Sequence, residues 1–144
     1  PFDLRSLKDG VEEDLKNCAI NLALFKAMEA ARATNKFLTE TEPWKMKGDR
    51  EHKRIAIVRT AMEAIYAFTH FLAPVIPQAA QSIFTHLNTP PRSSHNLRDD
   101  FYNLTPGTIV TVGEILFKKI EKPEETSASA ESAAAASVPG AGGK

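Results

Sequence analysis

The residues most suited to chemistry lie around the only tryptophan of the chain, in "TNKFLTETEPWKMKGD", residues 34–49. Trp44 follows a proline and precedes Lys45 and Lys47. Between Pro43 and Thr60 there are six basic residues, Lys45, Lys47, Arg50, Lys53, Arg54 and Arg59, against two acidic ones, Asp49 and Glu51. The whole chain carries a formal net charge of zero, so this excess is local. A flat aromatic face beside cations can stack an unpaired base while the cations neutralise its phosphates. The competing reading is a lid residue closing the loop between two helices, with the lysines on a solvated face. Pattern alone leaves these two open.

Other reactive side chains carry weaker signals. The motifs G-x-S-x-G, H-E-x-x-H, G-x-G-x-x-G and the phosphate-binding P-loop do not occur in this sequence. The single cysteine, Cys18, excludes an internal disulfide and a cysteine-based zinc site. It reads as a small buried hydrophobe on an apolar helix face. The four histidines, His52, His70, His86 and His95, form no H-x-x-x-H pair. His70 reads as a hydrogen-bonded structural residue late in a helix. Glu12, Glu13 and Asp14 read as first-turn acids favouring a helix dipole. No catalytic residue and no metal ligand is assigned.

The elements that must hold Trp44 follow from periodicity. Leu15, Cys18, Leu22, Phe25, Met28, Ala31, Asn35 and Leu38 recur at spacings of three and four, predicting one long helix over 11–41. Residues 1–10 read as a connection ending in a turn. Pro43 ends the helix, because the residue before proline is pushed out of the α region. Asp49 is the expected N-cap of a second helix over 50–72, with Ile55, Val58, Met62, Ile65, Thr69 and Leu72 on its apolar face. A third helix over 77–88 opens on Pro77, with Ala80, Ile83, Phe84 and Leu87 as its apolar edge. Apolar runs of membrane-spanning length are not expected.

Beyond Leu87 the polar "NTPPRSSHNLRDD" reads as a loop. Thr108 to Val112 is the one β-branched stretch there, compatible with a short strand in irregular structure packed on the helices. From Pro123 on, Ala, Ser, Glu, Pro and Gly dominate and Val138 is the last sizeable apolar residue. Such a segment cannot offset its ordering entropy, so 123–144 is expected to be a disordered linker or tail after a helical domain over 1–122. The chain opens at Pro1 with no charged-then-apolar leader, and it reads as part of a longer or processed chain.

Three ordered blocks resemble one family, covering roughly 15–122. "LFKAMEAARATNKFLTETEPWKMK" is similar to the methionyl-tRNA synthetase segment in which a helix carries A-N-x-Y/F and then P-W. "FLAPVIPQAAQSIFTHL" resembles the following helix pair with L-x-P-x-x-P between its members. "LTPGTIVTVGEILFKKIEK" resembles the end of that synthetase's core. Related class I synthetases for aliphatic amino acids share the helical design, while the P-W and L-F-x-x-I-E blocks favour the methionyl branch.

The resemblance implies an all-α fold, a helical bundle of the class I anticodon-binding type. It implies that Trp44 stacks on the anticodon of a methionine-specific tRNA, with Lys45 and Lys47 beside it. Asn35 matches a helix asparagine that would be structural, hydrogen-bonding near the helix end. An Asn/Arg pair that the family places on an earlier helix has no match here. The resemblance further implies a parent methionine–tRNA ligase in the cytoplasm, whose catalytic domain lies outside this sequence and uses ATP. This chain itself would need no cofactor and contact no membrane, and an apolar surface would be left where the catalytic half belongs. The alternatives are a non-catalytic tRNA-binding or scaffold subunit of a multi-synthetase complex, and a plain helical interaction domain with Trp44 as its lid.

Overall fold

A computed structural model describes residues 1–113 and 115–117. The tail expected over 123–144, and the boundary at 122, lie outside the described residues. Four α-helices are found among those described: α1 (Leu4–Lys16), α2 (Ile20–Thr41), α3 (Glu51–Leu72) and α4 (Pro77–His86). The all-α expectation holds, with three short 3-10 turns at Pro43–Lys45, Gly48–Arg50 and Ser94–Asn96.

The single long helix expected over 11–41 is two helices, and the first begins within the segment read as a connection. The Asp3 carboxylate caps α1, accepting from the Arg5 N–H at 2.9 Å and the Ser6 N–H at 3.1 Å. Leu4, Leu7, Val11 and Asp14 then form its buried face. Helix α1 closes in a Schellman motif, in which Cys18 donates to the Leu15 carbonyl at 3.1 Å and Ala19 to the Asp14 carbonyl at 2.8 Å. Cys18 takes the left-handed conformation this needs, at φ +57°. It is therefore an exposed turn residue and not a buried hydrophobe. The break escapes a periodicity argument because Leu15, Cys18 and Leu22 keep helical spacing across it. Glu12, Glu13 and Asp14 consequently lie near the C-terminal end of α1 and not in a first turn. Asp14 is anchored by Lys26 of α2 at 2.7 Å, and the same ammonium donates to the Gly10 carbonyl at 3.0 Å.

Helix α2 packs on both α1 and α3. Its buried seam is Ala23, Ala27, Ala30 and Thr34, small residues that let helix backbones approach closely. The stripe expected inside points outward: Leu22 is 50 % exposed and Phe25 57 %, with Met28 and Leu15 also exposed. The helical period is the expected one, but its phase is reversed, because the closely packed side of α2 has room only for small side chains. Asn35 is exposed, and its described hydrogen bond is a backbone one, the carbonyl accepting from Thr39, so the expected side-chain role is not seen.

Helix α3 is enclosed on several sides. Ile57, Ala61, Ala64, Tyr66, Ala67 and Leu72 are buried, Met62 and Ile65 partly so, while Ile55 and Val58 are exposed against expectation. The stretch Gly48–Leu72 is long and apolar enough by composition to cross a membrane, contrary to the sequence expectation. Its apolar length is that of a helix packed in a bundle. Arg50, and not Asp49, occupies its N-cap, without a side-chain capping bond. The Pro74–Pro77 corner turns the chain through bonds from Val75 and Ile76 to the Leu72 carbonyl, at 2.9 and 3.0 Å. Helix α4 then buries Ala80 and Phe84, followed by Leu87. Tyr66 meets Phe84 edge-on at 5.6 Å and donates its hydroxyl hydrogen to the Pro90 carbonyl at 2.8 Å.

The irregular segment after α4 is tied down by polar groups. Glu63, 1 % exposed in the middle of α3, accepts from the Asn103 N–H at 2.8 Å and the Leu104 N–H at 2.9 Å. Asn103 accepts in turn from the Arg98 N–H at 2.8 Å. Thr111 donates its N–H to the His86 carbonyl at 2.9 Å, but no strand forms at Thr108–Val112 among the described residues. Ile109, Val110 and Val112 stay exposed there, with no strand to pair with among the described residues.

The turn between α1 and α2 is a site of removable strain. A left-handed conformation costs an L-residue about 1–2 kcal/mol and glycine little. Cys18 is exposed, so its truncation sacrifices no packing. Cys18→Gly is expected to raise the denaturant midpoint, by up to about 1 kcal/mol of unfolding free energy. An unchanged or lowered midpoint would count against this account of the break.

Candidate nucleic-acid interface

The segment between α2 and α3 must reverse the chain, and its residues dictate how. Glu42 precedes Pro43 and cannot continue the helix; it turns left-handed at φ +44°. Its N–H still reaches the Leu38 carbonyl at 3.0 Å, closing α2. Pro43 is buried and starts a 3-10 turn, in which Lys45 donates to the Glu42 carbonyl at 2.9 Å and Met46 to the Pro43 carbonyl at 3.1 Å. Gly48 provides a second reversal at φ +60°, and Gly48–Arg50 leads into α3.

Trp44 projects from the first of these turns and is 60 % exposed. It is therefore not a packed lid, and most of the residue is open to solvent. Lys45 and Lys47 are exposed beside it, so the structure brings the three expected site residues into one short turn. Their electrostatic situations differ. Lys45 is paired with Glu42 at 2.6 Å, whereas Lys47 enters no ion pair among the described residues. Farther along, Arg54 pairs with Glu51 at 2.6 Å and also approaches the Met46 carbonyl at 3.4 Å. Arg59 lies over the Tyr102 ring at 4.6 Å. Arg50 and Lys53 are exposed.

Sequence reasoning missed three of these features. The Glu42–Lys45 pair was visible as an i, i+3 spacing, but only the reversed backbone shows it to be formed. The Arg59–Tyr102 contact joins residues far apart in sequence and carried no local signal. Glu63 looked like one more solvated acid within a helix.

Among the described residues, the remaining titratable groups form no second cluster suited to chemistry. No group of three or more His, Cys, Asp and Glu side chains suited to a metal occurs among the described residues. His70 has both ring nitrogens occupied, Nδ1 donating to the Tyr66 carbonyl at 2.7 Å and Nε2 accepting from the Arg92 N–H at 3.2 Å. This is the structural histidine expected. Burial holds its pKa below the ordinary imidazole value, despite the bond to Tyr66. A cleft of about 600 Å³ between α1 and the end of α3 is lined by Val11, Leu15, Phe71, Pro74 and His95, among others, and by no residue of the Trp44 turn.

The described residues thus form an all-α bundle that presents an exposed aromatic ring from a basic turn. A family model described as the anticodon binding domain of methionyl tRNA ligase matches residues 7–136, and the chain belongs to that family. It is 31 % identical over 113 residues to a methionine–tRNA ligase of Chloroherpeton thalassium, a match covering 78 % of this chain and 14 % of the relative. The corresponding enzyme of Thermotoga maritima is 27 % identical over 79 % of this chain and 18 % of its own length. That of Caulobacter vibrioides is 36 % identical over 67 % of this chain and 18 % of its own length. The chain thus spans less than a fifth of these relatives. No solved structure matches it.

Two outcomes follow from this geometry. An exposed ring contributes little to folding, so Trp44→Ala should change the unfolding free energy by less than about 1 kcal/mol, where a packed core tryptophan would cost about 3–5 kcal/mol. A denaturant midpoint measures it. For His70, the unfolded chain takes up a proton at higher pH than the folded one. Its contribution is therefore complete above the ordinary imidazole pKa and is lost as pH falls through the lower folded value. Stability should decline as pH falls below the ordinary imidazole value, and His70→Gln should flatten that decline.

Proposed function

We propose that this chain recognises the anticodon of a methionine-accepting tRNA as one part of a methionine–tRNA ligase. The observation that carries the reading is the exposed Trp44 ring, held by a buried proline at the mouth of a basic turn in a chain of this family. In this reading an anticodon base unstacks from its neighbours and lies on the indole face. Cations of the segment that begins with Lys45 and Lys47 attract the adjoining phosphates. The joining of methionine to tRNA at the expense of ATP belongs to a catalytic domain elsewhere in the parent chain, in the cytoplasm. This portion supplies recognition, with neither catalytic residue nor cofactor of its own. Residues 1–122 act as the helical binding domain, and 123–144 serve as a linker or tail.

A base–aromatic stack is worth about 1–3 kcal/mol and discriminates little, because every base has a π-face. The turn thus provides affinity, and selectivity depends on polar groups that reach base edges. Adding an RNA hairpin whose loop carries CAU, the complement of the methionine codon, should quench the fluorescence of the lone tryptophan. Trp44→Ala should weaken hairpin binding by about one to two decades. Unaltered fluorescence, together with unaltered affinity of the variant, would remove Trp44 from the interface.

A further inference from the structure

The basic residues of the Trp44 segment are not equivalent, and the ion pairs divide them. Lys45 is held at 2.6 Å by Glu42, the residue whose left-handed backbone ends α2. Arg54 is held by Glu51 at 2.6 Å and is directed toward the Met46 carbonyl. Arg59 is partly buried and covered by the Tyr102 ring. A phosphate approaching any of these must compete with a carboxylate or displace an aromatic ring. Lys47, Arg50 and Lys53 are exposed and enter none of the ion pairs or side-chain hydrogen bonds among the described residues. They follow Trp44 along one continuous path, through the Gly48–Arg50 turn and into the first turn of α3. Arg50 at the N-cap and Lys53 in the first turn of α3 stand three residues apart in the chain. Asp49 is the one acid on this path not engaged by Arg54.

We propose that Lys47, Arg50 and Lys53 neutralise the phosphates of the RNA strand whose base stacks on Trp44, and that Lys45 is a positioning residue, fixing the turn that carries the ring through its pair with Glu42. This assignment rests on the stacking reading and goes beyond it by separating the cations that meet RNA from the one that shapes the turn. The free cations release counterions when the strand binds, so they set the salt dependence. The Lys45–Glu42 pair is already neutral and contributes geometry. An ion pair that holds a turn is weakened from either side, whereas a phosphate-binding lysine gains when its competing carboxylate is removed.

The test measures binding of the CAU hairpin to the 144-residue chain over a range of salt concentrations. The triple variant Lys47→Ala, Arg50→Ala, Lys53→Ala should bind more weakly and flatten the log–log salt slope by about 2, since each single-strand phosphate left without its cation accounts for about 0.7. Lys45→Ala and Glu42→Gln should each weaken binding about two- to fivefold, the worth of an exposed ion pair, with the slope of the unaltered chain. A slope flattened by Lys45→Ala, or tighter binding by Glu42→Gln, would overturn the positioning role and make Lys45 a phosphate ligand. A triple variant with an unaltered slope would overturn the phosphate assignment. If Trp44→Ala binds like the unaltered chain while the triple variant flattens the slope, the cation assignment stands and the stacking reading falls. An unaltered chain that fails to bind the hairpin would overturn both.

Discussion

The close approach of α2 to its neighbours is the constraint on which the rest of the molecule depends. Ala23, Ala27, Ala30 and Thr34 form one seam of small side chains along that helix, all buried. A seam without bulk lets α1 and α3 pack on α2 at short range, and protein interiors tolerate little added volume at such places; overpacking costs about 1–3 kcal/mol. The Thr34 hydroxyl fits because it donates back to the Ala30 carbonyl at 2.9 Å and leaves no unpaired polar group. With the seam made largely of alanine, Leu22, Phe25 and Met28 of α2 are displaced to its outer face. The same closeness brings the Lys26 ammonium against Gly10 of α1, where a Cβ would meet its atoms at 3.2–3.4 Å.

The placement of Trp44 follows from that closeness together with the chemistry of the turn. Two helices packed on small residues must be joined by a tight reversal. Glu42 and Gly48 give it two left-handed residues, and Pro43 anchors it by burial. A reversal whose proline faces inward sends the next side chain outward, and that side chain is the indole. The backbone of the turn is fixed by bonds from Lys45 and Met46 back to Glu42 and Pro43. The ring is consequently held by the main chain of its own turn and needs little contact with the core.

Electrostatics adds a second selection. The chain is neutral as a whole, and several of its acids are engaged by nearby cations: Asp14 by Lys26, Asp99 by Lys8, Asp100 by Arg98. Glu63 binds backbone N–H groups instead, holding the irregular C-terminal segment against α3. Around the Trp44 turn, Glu42 and Glu51 each neutralise one cation. What remains exposed is a short positive path leading from the ring into α3. A neutral protein can thus present a local attraction for a polyanion without a global field.

The helical class, the helices near 50–72 and 77–88, the end of α2 at the proline and the apolar edge of α4 were legible in the sequence, because they rest on local chemistry. Proline disfavours the α region before it and suits a first helical turn after it, whatever lies around it. The isolation of Trp44 among lysines was equally legible as a question, and the blocks around it pointed to the family. Tertiary structure decided the rest. A period of three and four fixes that a helix has an apolar stripe but not which stripe is covered, and on α2 the alanines took the core while Leu22 and Phe25 did not. The break at Cys18 depended on a left-handed residue stabilised by two backbone bonds, which spacing does not encode. The pairing of Lys45 with Glu42, the cover of Tyr102 over Arg59 and the burial of Glu63 beneath Asn103 and Leu104 exist only once the chain has folded. A residue's type sets what it can bind, but its partners are chosen by distance, and distance is a property of the packed chain.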